Sequence, residues 1–270
     1  MCNNKITVFG AGGFIGSAVY DKFEKAGFVV AKGNWQCLDF SGQSLGTVIY
    51  CCGVGDCRRT DDVIYSHVDA LRNIVKTADY DSLVYVSSTR VYLDNSESSE
   101  TATLHLSFDD KRCLFNQVKL LGESVALAQN KPCLIVRPSN VYGKAFNSPL
   151  FLPSLVRDAV TKGEINLFVS QDYEKDYIYI DDLVDFIFKG IQNNVTGTYN
   201  IASGENVSAK KLVDIIEAYT KCKSVWHPIN SEDRFPVINI TKYKSLNFSP
   251  RKVESLLIEM IHEFRKQFAC

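Results

Sequence analysis

The apolar positions of this chain change period in a regular order. Lys5–Phe9 (KITVF) is a short β-rich run that ends in glycines. From 17 to 26, Ala18, Val19, Phe23 and Ala26 fall on one side of a helix, and Gly27 supplies its stop. Residues 28–31 (FVVA) form a second strand. Strand, glycine turn, helix, strand makes one βαβ unit of about 30 residues, its parallel strands joined by a right-handed crossover.

Too few residues separate Asn34 from the next strand, at 48–51, for another full helix. Further strands fall at 83–87 and 133–136, with helices over 61–78 and 110–129 between them. This alternation predicts an α/β fold, a Rossmann-like doubly wound parallel sheet. After Gly143 the texture changes. Pro149 and Pro153 flank an apolar stretch that leads to a helix ending near Lys162-Gly163. Helices over 181–192, 208–219 and 251–268 and a strand at 197–201 complete the chain. We read 1–145 as the larger domain and 146–270 as a smaller, discontinuous C-terminal lobe, some of whose segments rejoin the first. The polar run 94–103 (DNSESSETAT) is expected to be a mobile loop.

Composition narrows the function classes. With 270 residues, 46% hydrophobic and 23% charged, the chain has the make-up of a soluble globular protein. A formal net charge of -1 gives no global attraction to nucleic acid or anionic membrane, and neither is expected as a partner. No apolar run approaches the ~20 residues of a membrane span. The nine cysteines are odd in number and scattered, without a secretory signal before them, which points to free thiols and a cytoplasmic location. There is no C-x-x-C and the four histidines lie far apart, so no metal site is expected.

The candidate chemistry starts at Gly10-Ala11-Gly12-Gly13-Phe14-Ile15-Gly16. A dinucleotide pyrophosphate needs backbone N–H groups aimed at it and no side chains in the way. Gly10 permits the tight turn, Gly13 the close phosphate approach, and Gly16 the packing of helix on strand; Phe14 and Ile15 open the helix. Residues 1–145 are therefore the expected dinucleotide-binding part, and 146–270 the expected substrate lobe. An acid at the end of the second strand would hold the ribose of NAD, but Lys32-Gly33-Asn34 offers none. That favours NADP(H) over NAD(H), with Lys32 or Asn34 near the 2′-phosphate, although Lys32 reads equally as a solvated surface lysine.

The spacing resembles the extended short-chain dehydrogenase/reductase family, the nucleotide-sugar epimerases, dehydratases and ketoreductases. Its landmarks run in the family's order: GAGGFIG (10–16), CLDF (37–40), VIYCCG (48–53), VYVSSTRVY (84–92), FNQVKLLGE (115–123), VRPSNVYG (136–143), DYIYIDDL (176–183) and YNIASGE (199–205). The resemblance implies that Asp39 contacts the adenine, with Phe40 and Ser87 also at the cofactor, and that the dinucleotide lies over Cys52 and Gly53. It makes Ser88 the active-site serine, four residues before Tyr92, and Lys119 the lysine on the nicotinamide ribose. Pro138 and Asn140 position the nicotinamide, and Asn140 also faces the substrate. His67 stands where the family commonly has an asparagine; it orients the cofactor or is an ordinary half-buried histidine. On the substrate side the resemblance implies Ser88, Thr89 and Arg90, with Lys175 and Arg234 on the diphosphate of a nucleoside-diphosphate sugar. Arg90 is alternatively a surface salt bridge, and Arg234 a solvent-exposed arginine. Relatives of this kind pair as homodimers.

One departure stands at the centre. The family's Y-x-x-x-K motif here reads Phe115-Asn116-Gln117-Val118-Lys119, so the ring lacks its ionisable hydroxyl. Losing a positioned general acid costs roughly 10²–10⁴-fold in rate. A deliberate Tyr→Phe change made to trap a ligand accounts for this best, because Ser88 and Lys119 remain. The phenylalanine also fits a catalytically silent natural protein, or an enzyme in which Ser88 or a bound water transfers the proton. Thr89 and Arg90 replace the Asp-Glu pair of the sugar 4,6-dehydratases, which argues against dehydration. The expected reaction is NADP(H)-dependent reduction of a keto-sugar at C4, in bacterial-type surface-sugar biosynthesis. The alternatives are an NAD-dependent epimerase and a silent NADP(H)-binding regulatory protein.

Overall fold

A computed structural model of the chain describes residues 5–229 and 233–268. Six strands, β1 (Lys5–Phe9), β2 (Val29–Gly33), β3 (Thr47–Tyr50), β4 (Ser82–Val86), β5 (Cys133–Pro138) and β9 (Gly197–Ile201), form one sheet in the order β2-β1-β3-β4-β5-β9. Every neighbouring pair is parallel. The strand order reverses at β1, and this switch point opens the crevice in which doubly wound sheets bind ligands.

Successive residues of these strands bury into opposite layers, as the pleat requires. On β4, Val84 and Val86 join one apolar cluster with Ile6, Val8 and Ile49, and the helix α1 (Phe14–Lys25) and α6 (Ile180–Gln192) pack on that face. Leu83 and Tyr85 join the opposite cluster with Val48 and Tyr50, beneath α3 (Ala70–Thr77). The helix α4 (Cys113–Leu127) lies beside α3. Continuous apolar runs such as VIYCC are the sequence trace of this two-sided burial.

A third cluster forms away from the sheet. The helices α5 (Phe151–Lys162), α7 (Ala209–Thr220) and α9 (Val253–Phe268) enclose Leu155, Leu212, Leu257 and Phe264. Short strands border it: β6 (Asn140–Tyr142), β8 (Glu174–Tyr179) and β10 (Asn206–Ser208) make one small sheet, β7 (Glu164–Leu167) and β11 (Lys223–Trp226) another. The C-terminal part also returns to the large sheet, since β9 pairs with β5 and α6 packs on α1.

Two local expectations need correction. The helix expected over 61–78 runs as α2 (Thr60–Ile64), a π-helical turn Tyr65–Asp69 and α3; the turn carries His67. The polar run 94–103 is pinned rather than free. Ser98 Oγ donates to Val237 O at 2.8 Å and accepts from Asn239 N at 2.9 Å, and Glu100 accepts from Asn200 N at 2.9 Å. Its hydrophilic side chains serve as ties to distant segments, which composition alone reads as solvation.

Candidate active site

The glycine turn closes tightly against the sheet. Gly10 has φ +82, and a Cβ there would meet Cys51 C and Cys52 N at 2.9 Å. A Cβ on Gly16 would stand 2.1 Å from Gly10 O. Gly13 N donates to Gly10 O at 2.9 Å and Gly13 is the residue just before α1, with no side chain capping the helix. The N–H groups of Phe14 and Ile15 are thus open to an anion at the positive end of the helix dipole. Glycines that no side chain could replace, at an uncapped helix start, fit a dinucleotide pyrophosphate.

Lys32, Asn34, Cys37 and Phe40 line, with Lys5, Thr7 and Ser44, a cavity of about 440 Å³ that no residue of the glycine turn borders. Lys32 is exposed, its ammonium 4.9 Å from the Tyr20 ring centre. Asn34 Oδ1 accepts from Gln36 N at 3.1 Å. Phe40 is buried edge-on against Phe9. Asp39 turns to Ser41, whose hydroxyl and N–H lie 2.7 and 2.9 Å from its Oδ1 and hold its carboxyl below the usual range.

At the carboxyl ends of β3, β4 and β5 the catalytic positions converge. Lys119 is buried and donates to Val86 O at 2.8 Å; burial pulls its ammonium down to about 8. Its Nζ stands 5.7 Å from the centre of the Phe115 ring. His67 meets that ring edge-on at 5.4 Å. Burial first, then the Lys119 charge, drives the His67 pKa down to about 3, so the imidazole is neutral. Its Nε2 lies 3.1 Å from Val54 O, which assigns the proton there and leaves Nδ1 without a partner. A Cβ on Gly53 would be 2.2 Å from His67 Cε1, so this glycine and this histidine need each other. Cys52 is buried beside them, and its thiol is pushed up to about 12 by burial. Ser88 caps the short 3-10 turn Thr89–Tyr92, accepting from Arg90 N at 3.1 Å. Its hydroxyl proton remains available to a ligand. Asn140 Nδ2 is engaged by Asp176 O at 2.8 Å, just past Pro138 and Ser139.

Below these residues lies a polar network that the sequence motifs did not reveal. Ser87 Oγ donates to Glu123 at 2.5 Å, and Arg137 holds both Glu123 oxygens at 2.9 and 2.7 Å. Arg137 also donates to Tyr92 Oη at 2.6 Å, and Tyr92 to Asn200 at 2.9 Å. The Ser87 hydroxyl, expected at the cofactor, is committed to this interior.

Above them is a cluster of cations. Arg90 is buried between Asp110 (2.8 Å) and Asp233 (2.7 Å), an interior ion pair rather than a surface one. Thr89 is buried alongside. Arg112, directly before α4, lays its guanidinium 4.5 Å from the Phe115 ring centre; burial, then Arg90, lowers its pKa. Lys175 on β8 stands 4.8 and 5.2 Å from the ring centres of Tyr173 and Phe235, and burial brings it down to about 8. Arg234 is exposed and meets this corner only through its carbonyl, which accepts from Asp94 N at 3.2 Å.

The NAD dependent epimerase/dehydratase family matches residues 34–202 of this chain. The chain belongs to that family. Its relatives of known structure share the whole fold at low identity. MoeE5, solved with UDP-glucuronic acid and NAD, superposes with a TM-score of 0.83 at 18% identity, covering 98% of this chain and 100% of its own. A Tyr-to-Phe mutant of the UDP-glucuronic acid 4-epimerase of Bacillus cereus, solved with UDP-4-deoxy-4-fluoro-glucuronic acid and NAD, gives 0.82 at 17% identity over 98% and 100%. In sequence, the dTDP-4-dehydro-6-deoxyglucose reductase of Escherichia coli is 31% identical over 108 residues, 40% of this chain and 32% of that protein. The matched stretch is thus about a third of the length of the reductase.

As a member of the epimerase/dehydratase family the protein is a pyridine-nucleotide enzyme of the extended short-chain dehydrogenase type. The structure gathers Ser88, Phe115, Lys119, His67, Cys52 and Gly53 at one corner. It leaves Arg234 in solvent and Ser87 in the interior. Sequence reasoning passed over Arg112, Asp110 and Asp233. The i, i+3 spacing of Arg112 and Phe115 at a helix start was a usable signal for the first; nothing local linked Asp233 to Arg90.

Proposed function

We propose that the protein is an NADP(H)-dependent ketoreductase acting at C4 of a keto-sugar linked to a nucleoside diphosphate. The observation that supports this reading is the end of β2, where Lys32 and Asn34 are exposed and residues 32–34 include no acid, while Asp39 further on is turned to Ser41. A 2′-phosphate would meet the Lys32 ammonium there. The named activity of the E. coli relative supports the direction of reaction. Gly10, Gly13, Gly16, Phe14 and Ile15 would hold the pyrophosphate, Phe40 and Asp39 the adenosine end, and Cys52, Gly53, Lys119, Pro138 and Asn140 the nicotinamide half. The reduced nicotinamide supplies the hydride. Ser88 would pass its hydroxyl proton to the substrate oxygen as the hydride arrives and take one back from a solvent water, which leaves as hydroxide; Lys119 would fix a hydroxyl from its anchored position, and Lys175 would face the diphosphate. Leu121 and Leu127, half-exposed on α4, with Ile64, offer the apolar surface for a cytoplasmic homodimer.

Phe115 is the weak member of that machinery. Turnover of dTDP-4-dehydro-6-deoxyglucose by Phe115→Tyr, at least ~100-fold above the unaltered chain, would identify the phenylalanine as a block in a working site. No gain with any keto-sugar favours the silent, regulatory reading. The epimerase neighbours favour a third: tighter thermal stabilisation by NADH than by NADPH would support it and overturn the reductase.

A further inference from the structure

We propose that Arg112 binds a carboxylate carried by the sugar, so that the cleft takes nucleotide-linked uronic acids or their keto forms. This rests on the nucleotide-sugar reading above and narrows its substrate class.

The starting point is a difference among three arginines, Arg90 and Arg137 buried and Arg112 half-buried. Arg137 has both oxygens of Glu123, and Arg90 has Asp110 and Asp233. Arg112 has no ion pair among the described residues, and its Nε is buried without a hydrogen-bond partner. Among the described residues the carboxylates close by are already used. Asp110 accepts from Arg90, from the Arg112 backbone N–H at 2.9 Å and from Asn116 at 2.9 Å; Asp233 holds Arg90. Lys175 is likewise without an ion pair among the described residues; the rings of Tyr173 and Phe235 flank its ammonium, and Asp233 acts on it from further off. Among the described residues the cluster sets three cations, Arg90, Arg112 and Lys175, against two carboxylates, and both carboxylates pair with Arg90.

A charge withdrawn from water without a counter-ion is costly, and its retention points to an anion that arrives with a ligand. A diphosphate answers Lys175. It does not answer Arg112, whose guanidinium lies on the Phe115 ring, against which Lys119 and His67 also stand. That is the reacting end of the site, where the sugar ring sits. The anion at that end must be a substituent of the ring itself. A planar guanidinium with an unused Nε matches the two oxygens of a carboxylate, whereas a hydroxymethyl or methyl group would leave it unpaired.

The test is calorimetric and needs no turnover. NADPH-saturated protein is titrated with UDP-glucuronate, UDP-glucose and UDP, and with the corresponding dTDP compounds; none of these can be reduced. We expect each uronate to bind about tenfold or more tightly than the hexose on the same nucleotide. Arg112→Gln should abolish that preference while leaving hexose affinity within about twofold, and Arg112→Lys should retain part of it. NADPH binding should be unchanged in both variants. Equal affinity of uronate and hexose in the unaltered protein overturns the proposal without any variant. A preference that survives Arg112→Gln, or a matching loss of NADPH affinity, overturns it as well. If the nucleoside diphosphates and all their sugars fail to bind while NADPH binds, the nucleotide-sugar reading itself falls and the carboxylate pocket with it.

Discussion

The two ends of α4 are built on opposite principles. At its C-terminal end Glu123 is locked between Arg137 and Ser87, inside a network that continues through Tyr92 to Asn200. At its N-terminal end the Arg112 guanidinium lies on the Phe115 ring and has no ion pair among the described residues. Each buried charge in the first region has its partner in the chain, so the region serves stability. The second lacks its partner, so it serves a ligand. The same residue type, an arginine packed against one helix, thus means different things according to what completes its charge.

The largest effect should come from breaking the closed end. Glu123→Ala leaves the Arg137 guanidinium buried and unpaired, and should lower unfolding free energy by about 3–5 kcal/mol in urea titration. Arg112→Gln at the open end should change it by less than about 1 kcal/mol. Comparable losses from both would erase the distinction drawn between them.

Next comes the glycine turn, where the constraint is steric. Gly16→Ala must move the Gly10 carbonyl, since the added Cβ would stand 2.1 Å from it; a loss of about 1–3 kcal/mol is expected, with NADPH no longer raising the melting temperature. Gly12→Ala has nothing within 4 Å of its Cβ and should be nearly silent in stability. An equal response at the two positions would show that packing against Gly10 is not what fixes the motif.

These contrasts explain what was readable in the sequence. The glycine turn, the parallel strands and the positions Ser88, Phe115 and Lys119 were legible, because each depends on neighbours within a few residues and so leaves a local pattern. Arg90 with Asp233 was not, being a pair 143 residues apart. The run 94–103 misled for the same reason: Ser98 and Glu100 look like solvated residues until Val237, Asn239 and Asn200 are seen to hold them. His67 was ambiguous in sequence because its burial comes from the π-helical turn, which periodicity does not announce.

His67 gives the comparison a pH axis. In the unfolded chain its imidazole takes a proton below about 6.5, while in the fold burial delays this to about 3. The unfolded state therefore binds more protons across that window, and stability must fall as pH drops through it. His67→Gln keeps a donor for Val54 O and removes the titration. The variant should lose less melting temperature than the unaltered protein between those pH values; parallel curves would mean that the ring is protonated in the fold.

The smallest effect expected is a gain of stability rather than a loss. Lys175 is half-buried against aromatic rings without an ion pair among the described residues, and its ammonium is held down to about 8 from 10.5. Between those values the unfolded chain keeps a proton that the native state has released, so native stability rises with pH through the window. Lys119, also brought down to about 8, adds a slope of the same sign, which a paired comparison cancels. Lys175→Met, similar in length and uncharged, should raise stability at neutral pH by up to about 1 kcal/mol and remove its share of that slope. The same variant should weaken binding of UDP or dTDP, whichever the cleft prefers. Gain of stability with loss of affinity is what a cation kept for a ligand's charge must show; a variant less stable than the parent would mean that Lys175 supports the fold as Arg137 does.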